Sequence, residues 1–199
     1  ELEHYAEIAS KGEEDRKAIL GALMQTLLTQ ILSSSPDKML DFVNTGVKLA
    51  TDKHIMLYLH DRRSQDAALK LNWAGEIKKS EGDYLNINDS NFAGGKSNLY
   101  VDARVNLDID TKSGKHKLSI EYKNPRPFNV WLNGILRDYV RVYVPRGSTL
   151  DLIKGSDDPV RIVDDEELDK SFIESFITVR PQNSRKLELE YTVPNVGKS

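Results

Sequence analysis

One stretch of the chain alternates strictly between apolar and polar side chains. Its apolar positions are Val101, Ala103, Val105, Leu107 and Ile109, and its polar positions are Asp102, Arg104, Asn106 and Asp108. Alternation with a period of two places successive side chains on opposite faces of a β-strand. The stretch therefore predicts a strand with one wet face, whose apolar face packs against a second layer of the fold.

A second alternating segment follows a polar turn. TKSGK separates the first strand from residues 116–123, where Leu118, Ile120 and Tyr122 alternate with polar residues, so the two segments should form an antiparallel hairpin. The letters DIDTKSG before the second segment resemble the start of a calcium loop, which has glycine at its sixth position and glutamate at its twelfth. Here Gly114 is seventh and Ser119 is twelfth, so a hairpin turn explains the residues better.

Further alternating runs lie at residues 84–88, 138–144, 149–153, 171–179 and 186–193. Breaks that contain proline and glycine separate these runs at the spacing of a sandwich. About seven short strands without long helices between them favour an antiparallel β-sandwich, immunoglobulin-like in architecture. Because helical patterns precede the strands, the predicted class is α+β.

The first part of the chain has the spacing of helices. From residue 18 to residue 32 apolar residues recur in pairs four positions apart, which lays one broad stripe along a helix, and that stripe needs a partner. Ser35 as N-cap, Pro36 at the first helical position and Asp37 in the first turn then favour a second helix to about residue 50. Its expected buried side consists of Met39, Leu40, Phe42, Val43, Val47 and Ala50.

The run HIMLYLH, residues 54–60, is apolar on both faces and predicts a short buried strand. Residues 61–73 predict a short helix. We therefore divide the chain into a helical segment with one strand, 1–72, which we expect to end a larger upstream domain, and the β-sandwich, 73–199. Since the chain starts without methionine or an export signal, we expect it to be a piece of a longer protein.

The letters GGKS at residues 94–97 match the end of a phosphate-binding loop. Such a loop has glycine five positions before the glycine of GK, where this chain has Ser90, and it opens a helix whose first N–H groups face phosphate. Here Lys96 and Ser97 should lead directly into a strand from Leu99. The pattern predicts a turn and no nucleotide site.

Several classes of chemistry lack their sequence signals. The chain has no cysteine, its four histidines have no metal-ligand spacing, and no serine stands in a GxSxG elbow, so we predict no catalytic residue, metal or cofactor. Residues 1–72 carry 9 basic and 11 acidic residues, and the remainder carries 19 and 20, which argues against nucleic acid as a partner. The acidic letters DDEELD, residues 164–169, favour a solvated loop or a helical turn over a cation site.

The loop NPRPFNVWLNGILRDY, residues 124–139, contains the candidate ligand-binding residues Phe128 and Trp131. Exposed aromatic rings beside planar polar groups are surfaces on which sugars or proteins stack. In the alternative interpretation, which the sequence favours, Phe128, Trp131 and Leu132 fold back as a plug at the open end of the sandwich.

Five segments together are similar to a known family. HIMLYLHD, LNWAGEI, GDYLNINDSNFAGGKSNLYVDARV, LRDYVRVYVPRGSTL and ITVRPQNSRKLELEYTVP resemble, in this order, the C-terminal half of the bacterial domain of unknown function 4012, across residues 54–194. The resemblance implies an exported cell-surface protein, mainly of Gram-positive bacteria, with a membrane helix upstream. It also implies an upstream region similar to domains that attach glycopolymers to the cell wall. It transfers no catalytic residue.

These observations lead to one expected function and two alternatives. The chain should be a non-catalytic, extracytoplasmic interaction or structural module of a cell-surface protein, with a cell-wall glycan or another surface protein as partner. The first alternative is a carbohydrate-binding module that uses Phe128 and Trp131. The second is part of a transferase acting on wall glycopolymers, with its active-site residues upstream.

Overall fold

The computed structural model describes residues 13–80 and 82–194, with side chains from residue 18 onward. The chain divides into two compact units between Glu76 and Ile77. The first unit is helical and the second is a β-sandwich, so the predicted α+β class and the antiparallel sandwich are confirmed.

Three helices form the described part of the first unit: α1 (Glu13–Leu32), α2 (Pro36–Thr51) and α3 (Arg62–Lys70). Ser35 is the N-cap residue of α2, and Asp61 caps α3 by accepting the backbone N–H of Ser64 at 2.9 Å. The predicted helices are therefore present. None of the three described helices is both long and apolar enough to cross a membrane.

The expected buried side of α2 is wrong. Only Ala50 is buried, whereas Leu40 and Val43 are 63% and 53% exposed. The apolar stripe of α1 is also largely exposed, with Leu32 at 78%. Amphipathic spacing predicts where apolar side chains lie on a helix, but it does not supply an element to cover them.

The predicted strand at residues 54–60 is also wrong, because this segment is irregular. Among its backbone hydrogen bonds are those from the Leu57 N–H to the Trp73 carbonyl at 2.9 Å and from the Leu59 N–H to the Gln65 side chain at 2.7 Å. A strand requires a neighbouring strand, and the described elements of this unit are helices. Met56 and Tyr58 consequently stay 59% and 79% exposed.

The second unit contains eight strands in its described part. They are β1 (Asn86–Asn91), β2 (Asp102–Asp110), β3 (Lys115–Asn124), β4 (Leu136–Pro145), β5 (Thr149–Lys154), β6 (Arg161–Asp165), β7 (Lys170–Val179) and β8 (Asn183–Thr192). One sheet has the order β1-β4-β7-β6 and the other β2-β3-β8-β5, and every pair is antiparallel. The predicted β2–β3 hairpin is confirmed, whereas β6 was not predicted.

The core lies between the central strands of the two sheets. In β3 the buried side chains alternate with exposed or half-buried ones, as the period-two pattern requires. Ile120, Val140, Ile173 and Leu187, one from each central strand, are all inaccessible to solvent. Burying these branched side chains from both sheets is the main source of stability for the sandwich.

The acidic segment 164–169 divides between a strand and a turn. Asp164 and Asp165 end β6, and the next four residues form the turn into β7. The Asp165 side chain accepts the Leu168 N–H at 3.0 Å, which closes this turn. The segment is therefore part of a hairpin that its own carboxylate stabilises.

Candidate functional site

Two long loops meet at one end of the sandwich, which we call the loop end. They are residues 92–101, between β1 and β2, and residues 125–135, between β3 and β4. The antiparallel registers bring them together, because Asn91 pairs with Asp138 and Asp102 pairs with Lys123. The Ser97 hydroxyl donates to the Gly134 carbonyl at 3.0 Å and ties the two loops to each other.

Two buried asparagines anchor the loop 125–135. The Asn124 amide donates to the Asn133 side-chain oxygen at 2.7 Å, and the Asn133 amide donates to the carbonyls of Pro127 at 2.9 Å and Arg126 at 3.3 Å. Both side chains are almost inaccessible, at 0% and 2% exposure. A buried amide network of this kind fixes one backbone conformation, because each alternative conformation leaves polar groups unpaired.

A third asparagine shapes the tip of the same loop. The Asn129 side-chain oxygen accepts the N–H groups of Trp131 at 2.9 Å and Leu132 at 3.0 Å, and its backbone forms an isolated bridge with Asn133. Asparagine favours this turn because its short side chain replaces a backbone acceptor. The tip is consequently built from local hydrogen bonds.

The plug interpretation of this tip is wrong for Phe128. Phe128 is 65% exposed and Trp131 is 37% exposed, while Leu132 is half-buried. The structure therefore places both sequence-predicted candidates at the surface of one anchored loop. Val130, between them, is 90% exposed.

The loop 92–101 contains the GGKS letters. Gly94 has a φ of +71°, a conformation that favours glycine, and a 3-10 helix spans Ser97–Tyr100 before β2 begins at Asp102. The predicted strand start at Leu99 is therefore three residues too early. Ser97 is buried and structural, since its hydroxyl bonds the neighbouring loop.

Apolar side chains of both loops face solvent at this end. Phe92 and Leu99 of the loop 92–101 are 69% and 70% exposed. Phe92 is positioned by its N–H, which donates to the Arg137 carbonyl at 2.8 Å, and by an edge-to-face contact with Tyr139. A groove of about 570 Å³ separates the two loops. It is lined by Leu99, Tyr100, Asp102, Pro125, Arg126, Pro127, Asn129 and Asn133.

A smaller cleft of about 250 Å³ lies between the two sheets on the other side of segment 98–103. Asp89 from β1 and Asp138 from β4 line it, together with Tyr122 from β3. The Tyr122 hydroxyl donates to Asp89 at 2.8 Å, while Asp138 is only 3% exposed. The cleft thus brings two carboxylates from neighbouring strands close to one phenol.

The carboxylates in the cleft have perturbed acidities. Burial raises the pKa of Asp138 to about 6, with a further contribution from the charge of Asp89. Partial desolvation also raises the pKa of Asp89, although the Tyr122 hydrogen bond opposes this shift. Burial first, and then the adjacent Asp89 charge, raises the pKa of Tyr122. Asp138 is therefore protonated at a higher pH than an ordinary aspartate, and in its protonated form it is able to donate a hydrogen bond.

A third depression at the loop end, of about 430 Å³, is polar. Arg185 lies in it, donates to the Gly155 carbonyl at 2.8 Å and pairs with Asp157. These contacts use the guanidinium internally. Across the part of the chain that the structure describes, no three acidic or histidine side chains are grouped to hold a metal ion.

Sequence reasoning identified Phe128 and Trp131 but missed the residues that organise the site. Asn124 and Asn133 lie at the two ends of the same loop, one before Pro125 and the other before Gly134, and asparagine at such positions is a signal for side-chain contacts with the loop backbone. Asp89 and Asp138 are far apart in the sequence and meet only because β1 pairs with β4.

The chain was also compared with known proteins. It matches no protein-family model, and a search among curated proteins likewise found no matching relative.

Proposed function

We propose that the sandwich is a non-catalytic interaction module and that the loop end is its contact surface. The observation that carries this proposal is the exposure of Phe128, at 65%, on a loop whose backbone is fixed by the buried Asn124–Asn133 pair. An aromatic ring costs energy when it is left in water, and a fixed loop prevents it from folding inward. Such a ring is suited to burial against a partner.

The two loops together supply what a protein or glycan contact needs. Exposed apolar patches with polar rims mark interaction sites. Here the exposed Leu99 lines a groove that also contains Arg126 and Asn129, and Phe92 and Val130 are exposed on the same two loops. Because the loops are held by hydrogen bonds before any partner arrives, little conformational entropy is lost on binding. Loops at one end of a β-sandwich are a common position for binding sites.

A carbohydrate is the second candidate ligand, favoured by the mixture of side chains at this end. Sugar rings present an apolar face that stacks on aromatic rings and hydroxyl groups that bond planar polar groups. Phe128 and Trp131 supply the rings, and Asn129 and Arg126 supply amide and guanidinium groups. Asp138 in the adjacent cleft adds a group that donates or accepts a hydrogen bond.

The resemblance to the bacterial surface family supports an extracytoplasmic position for this module. In that setting the partner is a cell-wall glycan or another surface protein, and the membrane anchor lies in an upstream part of a longer protein. Fold alone does not determine the partner, since sandwiches serve many functions.

The test is co-sedimentation of the full chain with purified Gram-positive cell walls, before and after chemical removal of their attached glycopolymers. We expect binding to walls and a loss of about tenfold or more in affinity for Phe128→Ala, the loss expected for a central aromatic contact. Tyr58→Ala, which removes a 79% exposed aromatic ring from the helical unit, is the matched control and should bind normally.

Each result of this test has a defined meaning. Binding that needs the glycopolymer and falls with Phe128→Ala supports the carbohydrate candidate, and a glycan array with Trp131→Ala then refines it. Binding that survives glycopolymer removal but still falls with Phe128→Ala supports a different surface partner. No binding to walls, or binding insensitive to Phe128→Ala, contradicts the proposal.

A further inference from the structure

The edge strand β2 differs from the other three sheet edges. β1 and β5 have six residues each and β6 has five, and β5 is also interrupted by a register shift between Leu150 and Leu152. β2 has nine residues and pairs with β3 in unbroken register over its whole length. Edges are normally kept from pairing with other chains by short length, bulges, proline or inward-pointing charge. β2 is long and regular, without proline or inward-pointing charge, and the charges on its outward face are of both signs.

The inward face of β2 is apolar and incompletely covered. Ala103, Val105, Leu107 and Ile109 carry no charge, yet Val105 and Ile109 are 44% and 43% exposed. β1, at the corresponding edge of the other sheet, is three residues shorter and mostly polar. The apolar side of β2 therefore extends beyond the cover that its own sandwich provides.

The outward face of β2 is complementary to itself. When two copies of β2 pair antiparallel about Asn106, Arg104 of each copy lies opposite Asp108 of the other. On the inward face the same register places Val105 opposite Leu107. Opposite charges directly across a strand pair are stabilising, and two such pairs form at once because the arrangement is two-fold symmetric.

The ends of this register bring Asp102 opposite Asp110. Asp110 is already engaged by its own turn, where its side chain accepts the Ser113 hydroxyl at 2.6 Å and the Lys112 N–H at 2.9 Å. These bonds direct the carboxylate towards residues 111–114. The like-charge pair at each end consequently opposes the central Arg104–Asp108 pairs only weakly.

We propose that β2 is a homodimerisation edge, at which a second copy of this chain pairs antiparallel about Asn106. The β2-β3-β8-β5 sheets of the two copies then join into one continuous sheet, and the loop ends of the two copies point in opposite directions. A contact of one strand from each copy is small, so the dimer is a weak one. This inference is independent of the proposed ligand contact, because Arg104 and Asp108 do not line the groove or the cleft.

Sedimentation equilibrium of the full chain tests the proposal, over protein concentrations from about 1 µM to about 1 mM, the span of weak association. The wild type should dimerise. Arg104→Asp and Asp108→Arg should each raise the dimer dissociation constant by on the order of a hundredfold, because each places like charges opposite one another twice. An equimolar mixture of the two variants should recover the dimer, since every cross pair is then complementary. Circular dichroism verifies that each variant is folded.

The matched control is Arg137→Asp, which makes the same change of charge on β4, an interior strand of the other sheet. It should dimerise like the wild type. A wild type that is monomeric throughout overturns the proposal. A dimer that Arg104→Asp leaves intact, or two variants that fail to associate when mixed, overturns the register about Asn106.

Discussion

The two ends of the β-sandwich use their residues differently. At the end opposite the loop end, which we call the turn end, the connections at residues 111–114, 146–148 and 166–169 are short. Ser148 donates to the Pro145 carbonyl at 2.6 Å, and Asp110 closes the first turn. The loop end instead has two longer loops, on which Phe92, Leu99 and Phe128 are exposed. Loops that exceed what a connection needs are where function usually lies.

Both ends are nevertheless fixed by buried polar groups. At the turn end, His116 is inaccessible, its ring nitrogens lie 2.9 Å from the Gly114 carbonyl and from the Asp83 carboxylate, and the ring stacks on Tyr191. At the loop end, Asn124 and Asn133 have the corresponding role. The difference between the ends is therefore in what they expose rather than in how firmly they are held.

The largest loss of stability should come from a substitution of His116 at the turn end. His116→Ala removes a stacked, buried ring together with its contacts to the Gly114 carbonyl and the Asp83 carboxylate, so we expect a loss of about 3 kcal/mol in the free energy of unfolding. Urea denaturation measures it. His60→Ala, at an exposed position, is the control and should change stability by less than about 0.5 kcal/mol. Equal effects of the two variants would show that His116 does not anchor this end.

A smaller loss should follow at the loop end. Asn133→Ala leaves the buried Asn124 amide without its acceptor and the Pro127 carbonyl without the Asn133 donor, which should cost about 2 kcal/mol. Urea denaturation gives this value as well, and hydrogen exchange should show faster amide exchange confined to residues 125–135. Asn86→Ala, an exposed asparagine of β1, is the matched control. Unchanged amide exchange in residues 125–135 would show that the Asn124–Asn133 pair does not fix the conformation of this loop.

Substitution of Asp138 should increase the free energy of unfolding rather than decrease it. Its folded pKa of about 6 lies above the unfolded value of 3.8, so the folded state binds the extra proton and stability falls as pH rises from about 4 to about 6. Asp138→Asn removes this fall and should stabilise the protein by about 1–2 kcal/mol at pH 7, with little change at pH 3.

Thermal unfolding at several pH values provides the test of this gain, as the difference between variant and wild type. The difference is necessary because Glu174 has the opposite effect on the protein. Its pKa is lowered mainly by the Tyr139 hydrogen bond, so its contribution to the stability of the protein is lost as pH falls. Glu174 is unchanged in the variant and cancels. A difference that is independent of pH would contradict the raised pKa of Asp138.

The strands were predictable from the sequence to the extent that their side chains alternate. β2, β3, β7 and β8 have one apolar face each, and their positions follow from the period of two. β6 was not predicted because its five residues include an arginine and two aspartates, so apolar and polar side chains do not alternate along it. The irregular segment 54–60 has the composition of a strand, but pairing depends on a partner that composition does not contain.

The site was predictable only in part. Phe128 and Trp131 stand out in the sequence, but whether they are covered depends on the amide contacts of Asn133 with residues up to nine positions away. The Asp89–Asp138 cleft depends on strand order, which alternation does not specify. Local patterns thus indicate elements, whereas burial and acidity follow from tertiary contacts.

The claim on which the loop end rests is that its exposed aromatic residues are held on a rigid backbone. Measurement of ¹⁵N relaxation for residues 125–135 tests this claim directly. We expect order parameters of about 0.85, equal to those of the paired strands β3 and β4. Values below about 0.6 around Phe128 and Trp131 would contradict the account, because a flexible tip could fold its rings inward and would not be a fixed contact surface.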